Sequence, residues 1–411
     1  MKSLYWLRND LRMQDNRSLD NFCKNADSGL VVWCPTKSFL RADVRRKNFI
    51  LSSLMECKKN IEMLGGKLII FKKTITEVLP KFIADNEVDS IFYSSEPTPE
   101  EIREESHLKE IVNLSIFSAF QGSLIHIDDL GFDIINLPPV FTQFRNLVEA
   151  DLKVQTVILQ PSKMPKPFLP ILVTDQWDIQ TELNPHYLHP KLLPGEAEGL
   201  KRMNEYIFLK DRLKTYKETR NGMLNWDDSS KLSAWLSIGA ISARQIYASI
   251  QKYENERCKN ESTYWLKFEL LWRDYFRLNA LLKQEKLFNQ RSSVSANPDE
   301  QYTFGLWCNG KTGVTFIDAN MIELNLTGWM SNRGRQNVAS YLAKILKVDW
   351  RWGAAYFENK LIDYDASSNW GNWAYLAGVG QDPRNRTFNP DIQANRYDKD
   401  GEYQKLWISK Q

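Results

Sequence analysis

Cysteine is sparse and scattered in this chain: Cys23, Cys34, Cys57, Cys258 and Cys308 are all there is among 411 residues. No CxxC pair and no Cys/His cluster occurs, so neither a disulfide framework nor a zinc site is supported. Histidine is rarer still, with four residues and none after His189. No run of about 18 or more apolar residues appears, which argues against a membrane span. The first residues run straight into the apolar MKSLYWL without a charged segment ahead of a hydrophobic one, so no secretory signal is read. No GxGxxG or Walker pattern follows any candidate strand, so nucleotide phosphates have no obvious cradle there. A strong charge bias is missing too: 54 basic and 51 acidic residues leave a net +3. That balance neither requires nor excludes nucleic acid, because local placement of charge sets binding. A reduced cytoplasmic setting, no metal and no membrane are the expectations.

Aromatic residues are present in quantity, and unevenly. Ten of the 14 tryptophans lie after Ser229. The densest stretch is Asp349–Tyr375, DWRWGAAYFENKLIDYDASSNWGNWAY, with Trp329 just upstream. That is more indole than core filling needs, and indole suits aromatic ligands and one-electron chemistry.

The length fits about two to three domains. Over residues 1–130, short apolar runs (4–7, 30–33, 67–71, 90–93) alternate with amphipathic segments (48–64, 74–85, 99–112). This alternation predicts a doubly wound parallel sheet. Residues 131–195 hold nine of the 16 prolines, which excludes long helices and predicts an ordered linker with one helix near 142–152. From residue 196 to 411 helical periodicity dominates, with candidates at 197–220, 231–253, 262–285, 313–324, 332–346, 351–360 and 369–375. The fold class is therefore α/β, with an all-helical C-terminal domain.

Several local patterns carry chemistry. Ser229-Ser230-Lys231-Leu232-Ser233 precedes a helix, where hydroxyls, free N–H groups and one cation suit phosphate oxygens, although the same pattern serves as a simple cap. Glu269 and Arg273 fall at i,i+4 on a helix whose neighbours Phe268, Leu270, Leu271, Trp272, Tyr275 and Phe276 leave little polar face. Charges so placed are buried and need a partner. Arg333 and Arg335 at a helix start oppose its dipole, and an anion nearby would relieve them. Asp363 and Asp365 flank Tyr364; with no third ligand evident, hydrogen bonds to a ribose or a ring N–H fit them better than a metal.

The order of these segments is more specific than any one of them. SSKLS (229–233), FELLWRD (268–274), GKTG (310–313), TGWMSNRGRQN (327–337), DW (349–350) and LIDYDASSNWGNWAY (361–375) follow one another as in the photolyase/cryptochrome family. WLRNDLRMQDNRSL (6–19) and PGEAEGLKRM (194–203) also resemble it. PPVFTQFRNLVE (138–149), TYKETRNG (215–222), SNRGRQNVAS (331–340), NWAYLAGVGQDPR (372–384) and YDKDGEYQKLW (397–407) look like the DASH-type cryptochromes, a group similar to cyclobutane pyrimidine dimer photolyases that act on single-stranded DNA.

The resemblance implies a helical domain that binds FAD and an α/β domain that carries an antenna. Ser229, Ser230, Lys231, Leu232 and Ser233, with Tyr216, would hold the cofactor's pyrophosphate and ribityl region. Arg273, Arg335, Asp363 and Asp365 would surround its ring, and Asn369 would face N5. Glu269 would hydrogen-bond the lesion's bases, Trp272 and Tyr375 would wall the lesion pocket, and Asn332 and Gln336 would line it. Arg220 and Arg333 would meet the DNA backbone. Trp373 and Trp350 match the first two electron donors of the family. A third tryptophan, usual in the loop before GKTG, is missing: none lies between Trp272 and Trp307, and Asn297 stands about where it belongs. Tyr302, Trp352 or Trp370 would have to substitute, or external reductant suffices. FYSSEPTPEEIREE (92–105) is similar to the family's antenna segment and puts Glu101 where a methenyltetrahydrofolate would be contacted; an acidic helix start reads almost as well.

The implied function is light-driven repair of pyrimidine dimers by a monomer, preferentially in single-stranded DNA. A blue-light photoreceptor signalling through a partner is the alternative. No tail follows Trp407 for signalling, which favours repair. Chemistry on (6-4) lesions needs an acidic histidine that His107, His126, His186 and His189 do not offer.

Overall fold

The computed structural model describes residues 1–171, 173–288, 297–380 and 386–411. The QDPR part of the 372–384 segment lies outside them. The chain divides into two units of comparable internal density. The first comprises 1–131, 152–203 and 232–251; the second comprises 132–151, 204–231 and 252–411. The proline-rich stretch is thus shared between them, and the SSKLS segment is divided after Lys231.

The first unit is built on a parallel sheet of β1 (Lys2–Leu7), β2 (Ser28–Trp33), β3 (Leu68–Ile70), β4 (Ser90–Ser94) and β5 (Ser115–Ala119), in the order β3-β2-β1-β4-β5. Helices α1 (Arg17–Asn25), α2 (Val44–Met63), α3 (Ile75–Asn86) and α4 (Pro99–Ile111) connect them. Strands β1, β2 and β4 are buried on both faces, so they read as continuous apolar runs rather than alternating ones. Leu4, Trp6, Leu30, Val32, Ile91 and Tyr93 form one core face with Leu79 and Leu108 from the helices. The sequence pattern missed β5. It is an edge strand with mostly exposed side chains, and SIFSA lacks the apolar run that marked its neighbours. The prolyl stretch is ordered where it pairs with this unit, bridging Ser28 to Lys166 and Phe71 to Gln176.

The second unit contains only helices among its described residues. Those that matter below are α5 (Phe141–Ala150), α6 (Glu261–Lys283), α7 (Pro298–Cys308), α8 (Thr315–Thr327), α9 (Asn332–Ser340), α10 (Trp350–Lys360), α11 (Ala366–Ala377), α12 (Pro390–Tyr397) and α13 (Glu402–Ile408). Most have side-chain caps: Asn260 for α6, Ser331 for α9, Asp349 for α10 and Asp365 for α11. The expected 197–220 helix is broken, because Asp211 adopts a left-handed conformation at φ 52°. The expected 231–253 helix is also interrupted, ending at Ser237 and restarting at Ala243.

Glycines let the central helices approach closely. A Cβ on Gly353 of α10 would lie 2.2 Å from Trp373 Cη2, and one on Gly371 of α11 would lie 2.3 Å from Phe276 of α6. The core around them holds Trp307, Trp370, Trp373, Phe357, Leu342 and Met330.

Candidate active site

Two helix starts, those of α9 and α11, and the C-terminal end of α10 converge on one cleft of the second unit. It encloses a cavity of about 80 Å3 and is lined by Asn332, Arg335 and Gln336 of α9, by Asp363, and by Asp365, Ser368, Asn369, Asn372 and Trp373 at and along α11. Seven residues singled out in the sequence therefore share a wall. Ser331 Oγ caps α9 by accepting from Gly334 N at 3.0 Å, which sets the direction of the Arg335 side chain. Arg335 Nη2 donates to both oxygens of Asp363, at 2.9 and 2.8 Å, and its Nε donates to Met330 O at 2.9 Å. The anion that the helix dipole called for is this carboxylate.

Asp365 has two functions. Its Oδ1 accepts from Ser368 N at 2.7 Å, capping α11, and its other oxygen lies 3.8 Å from Arg273 Nη2. Burial alone would raise this carboxyl's pKa, but Arg273, Arg277 and the Ser368 bond outweigh it and hold the group ionised, below the ordinary carboxylate value. Asn369 Nδ2 donates to Ala354 O at 3.0 Å. With its N–H side committed to α10, this amide presents its oxygen as the remaining acceptor on the cleft wall.

The full burial expected of Glu269 and Arg273 on α6 is corrected. Glu269 and Arg273 do not bond each other. Glu269 forms an ion pair with Arg220, while Arg273 turns to Asp365. Both are half-buried rather than fully enclosed. Burial pushes the Glu269 carboxyl up, and Arg220 opposes that. Tyr216 is buried beside this pair.

Trp272 and Tyr375 meet, with ring centroids 6.2 Å apart at 67°, but neither lines the cleft described above. The sequence reading missed Phe141, whose ring stacks on Trp272 at 3.7 Å and 12°. One face of the indole is therefore covered by protein, and a planar ligand has only the other. PPVFTQF carried this signal, but in sequence it read as a DASH-like segment of the proline-rich linker. Arg333 Nη1 donates to Gln336 Oε1 at 2.7 Å and Nη2 to Asn221 Oδ1 at 2.9 Å, with Tyr397 4.5 Å beneath the guanidinium. Burial lowers the pKa of Arg333, and Arg220 and Arg396 reinforce this.

Lys231 does not line the cleft. It is buried, with φ 62°, and its ammonium lies 4.0 Å from the Trp329 ring centroid and 5.5 Å from that of Trp226. Leu232 and Ser233 fall in the first unit, at the start of a short helix.

Trp373 touches Trp307 at 6.1 Å and Phe357 at 5.1 Å, whereas Trp350 touches Trp370 at 5.9 Å. Tyr302 is 70% exposed, and Asn297 caps α7. In the first unit, Glu101 on α4 accepts from Thr98 Oγ1, and burial pushes its carboxyl up to about 7.

The donor set fits a flavin. Two arginine–carboxylate pairs and one oriented amide oxygen supply the alternating donors and acceptors that the polar edge of an isoalloxazine requires, and Trp373 supplies an aromatic wall.

Residues 3–167 match the family described as DNA photolyase, and residues 265–411 match the FAD binding domain of DNA photolyase. Among curated proteins, the chain is 41% identical to a cryptochrome DASH of Synechocystis, covering 98% of this chain and 87% of that protein. It is 40% identical to that of Xenopus laevis, over 98% and 81%. Among solved structures, a Synechocystis cryptochrome superposes with a TM-score of 0.91 at 38% identity, covering 100% of this chain and 89% of the other. A Sulfolobus tokodaii photolyase, reported with two FAD molecules, superposes at 0.78 with 28% identity, over 99% and 90%. No helix among the described residues is long and apolar enough to cross a membrane.

Proposed function

Since the chain belongs to the photolyase/cryptochrome family, and within it to the DASH type, we propose that it is a blue-light-driven enzyme that splits cyclobutane pyrimidine dimers, preferentially in single-stranded DNA. The observation that carries this reading is the single cleft in which Arg335–Asp363, Asp365 and Asn369 stand beside Asn332 and Gln336. FAD, when bound and reduced, supplies the photoexcited electron that opens the dimer.

The chain's own residues bind and orient. Arg335, Asp363, Asp365 with Arg273, and Asn369 hold the ring. Ser229, Ser230, Lys231 and Ser233, with Leu232 and Tyr216 beside them, serve the phosphate and ribityl end. Glu269 accepts a hydrogen bond from a base of the lesion. Trp272 offers the face that Phe141 leaves uncovered, and Tyr375 closes one side. Extruding a dimer costs a few kcal/mol from duplex and less from a single strand, which is the physical basis for the strand preference. Arg220 and Arg333 serve the backbone, so affinity falls as salt rises. A methenyltetrahydrofolate antenna at Glu101 completes the assignment. We take the working form to be a cytoplasmic monomer.

The test is loss of dimers from single-stranded and duplex oligonucleotides, followed by chromatography, with reduced protein in light and in dark. Loss in light, faster on single strands, is the expected outcome, and Glu269→Gln slows it while leaving flavin photoreduction intact. No light-dependent loss on either substrate, with FAD bound and reduced, overturns repair and leaves the photoreceptor reading.

A further inference from the structure

Phe141 sits on three rings of one helix at once. Phe268, Trp272 and Tyr275 lie at i, i+4 and i+7 along α6 and so share a face. The Phe141 ring meets Phe268 at 5.2 Å and 88° and Tyr275 at 5.6 Å and 68°, edge to face in both cases, and lies flat against Trp272 at 3.7 Å and 12°. Edge-to-face is a preferred arrangement of aromatic quadrupoles, whereas a face-to-face sandwich is not. The two flanking contacts therefore set the plane of Phe141, and Trp272 conforms to it.

The element that carries Phe141 is fastened from the same helix. No side chain caps α5 at Val140, so its first turn depends on outside contacts. Pro138 and Pro139 restrict the backbone ahead of it, and Pro138 O accepts from Tyr275 Oη at 2.9 Å. One turn on, Phe144 packs on Tyr275 at 5.2 Å, and near the far end Glu149 Oε1 accepts from Tyr264 Oη at 2.7 Å. Phe141 and Phe144 are buried, while Trp272 is half-buried. One face of a partly exposed indole thus rests on a fixed aromatic plate, and α6 supplies both the indole and the bonds that hold the plate.

We propose that Phe141 is a positioning residue for the substrate: it holds the Trp272 indole in one orientation before a dimer arrives, and so sets how well a dimer is told from undamaged pyrimidines. The proposal rests on the reading that Trp272 walls the lesion pocket.

The physical basis is preorganisation. A side chain that must be immobilised when a ligand binds weakens the complex, and one already ordered does not. An undamaged strand held through its phosphates has no need of that wall, so its affinity is indifferent to the order of the indole. Loss of the plate should therefore weaken dimer binding selectively, by about 3- to 10-fold.

The test uses the FAD-loaded full chain. Phe141→Leu keeps apolar bulk and removes the aromatic plate, and Phe141→Tyr keeps the plate. Phe144→Leu is the packing control: among the described residues its ring neighbours are Phe132, Phe141 and Tyr275, not Trp272. The first readout needs no DNA. In protein labelled with 5-fluorotryptophan, the Trp272 fluorine line is the one lost in Trp272→Phe. It should move and broaden in Phe141→Leu, as the ring current and the order imposed by Phe141 disappear, and stay in place in Phe144→Leu. The second readout is the ratio of dissociation constants for undamaged and dimer-containing single strands in the dark. It should fall about 3- to 10-fold in Phe141→Leu and hold near the wild-type value in Phe141→Tyr and Phe144→Leu.

Flavin absorbance and melting temperature report folding of each variant, and one measurement needs no variant of Phe141: in the wild type, a Trp272 line that sharpens on adding dimer-containing DNA marks an indole ordered by its substrate and overturns the proposal. An unchanged line in Phe141→Leu overturns it too. Equal loss of affinity for both strands, matched in Phe144→Leu, reduces Phe141 to ordinary packing. A wild type whose line responds to Phe141 but which binds both strands equally overturns the lesion reading of Trp272, and with it the substrate part of the proposal.

Discussion

Asp363 keeps 1% of its side-chain surface exposed, and its partner Arg335 keeps 23%. The asymmetry makes the two halves of this ion pair unequal. Removing Arg335 takes the ion-pair partner from a carboxylate buried in the core, and breaking a buried pair in this way costs about 3–5 kcal/mol. Removing the charge of Asp363 leaves a guanidinium that still reaches water, which is less costly. Arg335→Met is therefore expected to lower the melting temperature more than Asp363→Asn, and both are expected to lose FAD. Thermal melting alongside flavin absorbance decides it; full FAD occupancy with unchanged melting in either variant would remove the pair from the cofactor site. At this scale the sequence was informative where a residue type conflicted with its own surroundings. Two arginines at a helix start demanded an anion, and Asp363 is the one Arg335 found. The sequence was silent where the partner lay far along the chain. Arg220 is 49 residues from Glu269, and nothing in the local pattern ranks it above Arg273, four residues away. Helical spacing places side chains on a face but does not say which neighbouring element faces them.

Elements were legible in proportion to their burial. Strands β1, β2 and β4, apolar on both faces, stood out; edge strand β5 did not, and neither did α7, α12 and α13, whose cores are shared with larger helices. The last of these, α13, is tied down by chemistry that the sequence could not reveal. Tyr403, fully buried, donates to Glu323 Oε2 on α8 at 2.6 Å. Burial pushes the Glu323 carboxyl from its ordinary 4.5 to about 7, against the opposing influence of Tyr403 and of Lys231 and Arg335. Between those two values the folded chain holds a proton that the unfolded chain has released. Stability is therefore greatest below the lower value and falls as pH rises through the upper one, by about 1.4 kcal/mol for each pH unit crossed between them. Melting curves between roughly pH 5 and 8 should show this decline, and Glu323→Gln should flatten it. An unchanged slope in the variant would place the titration elsewhere, with Glu101 the next candidate, since its carboxyl is raised in the same direction.

For the whole molecule, composition settled little. A net charge of +3 names no partner, and length fits many architectures. What identified the chain was the order of short segments over nearly its full length, and that order also implies a division of labour. Apart from Leu232 and Ser233, the residues of the proposed chemistry belong to the helical unit, while the proposed antenna residue, Glu101, belongs to the α/β unit. If light is collected in one unit and used in the other, the two functions should separate by wavelength. Glu101→Gln should lose the near-ultraviolet band of a bound folate while FAD remains. Repair driven by light that the flavin absorbs directly should then match the wild type, and repair driven in the near ultraviolet should fall to what the flavin absorbs on its own. An action spectrum of dimer loss for the two proteins, reconstituted with folate, reads this directly. Equal losses at both wavelengths would mean that Glu101 supports the fold rather than a chromophore. A wild type that takes up no folate would leave the carboxyl as the acidic start of α4, where negative charge is favoured by the helix dipole in any case.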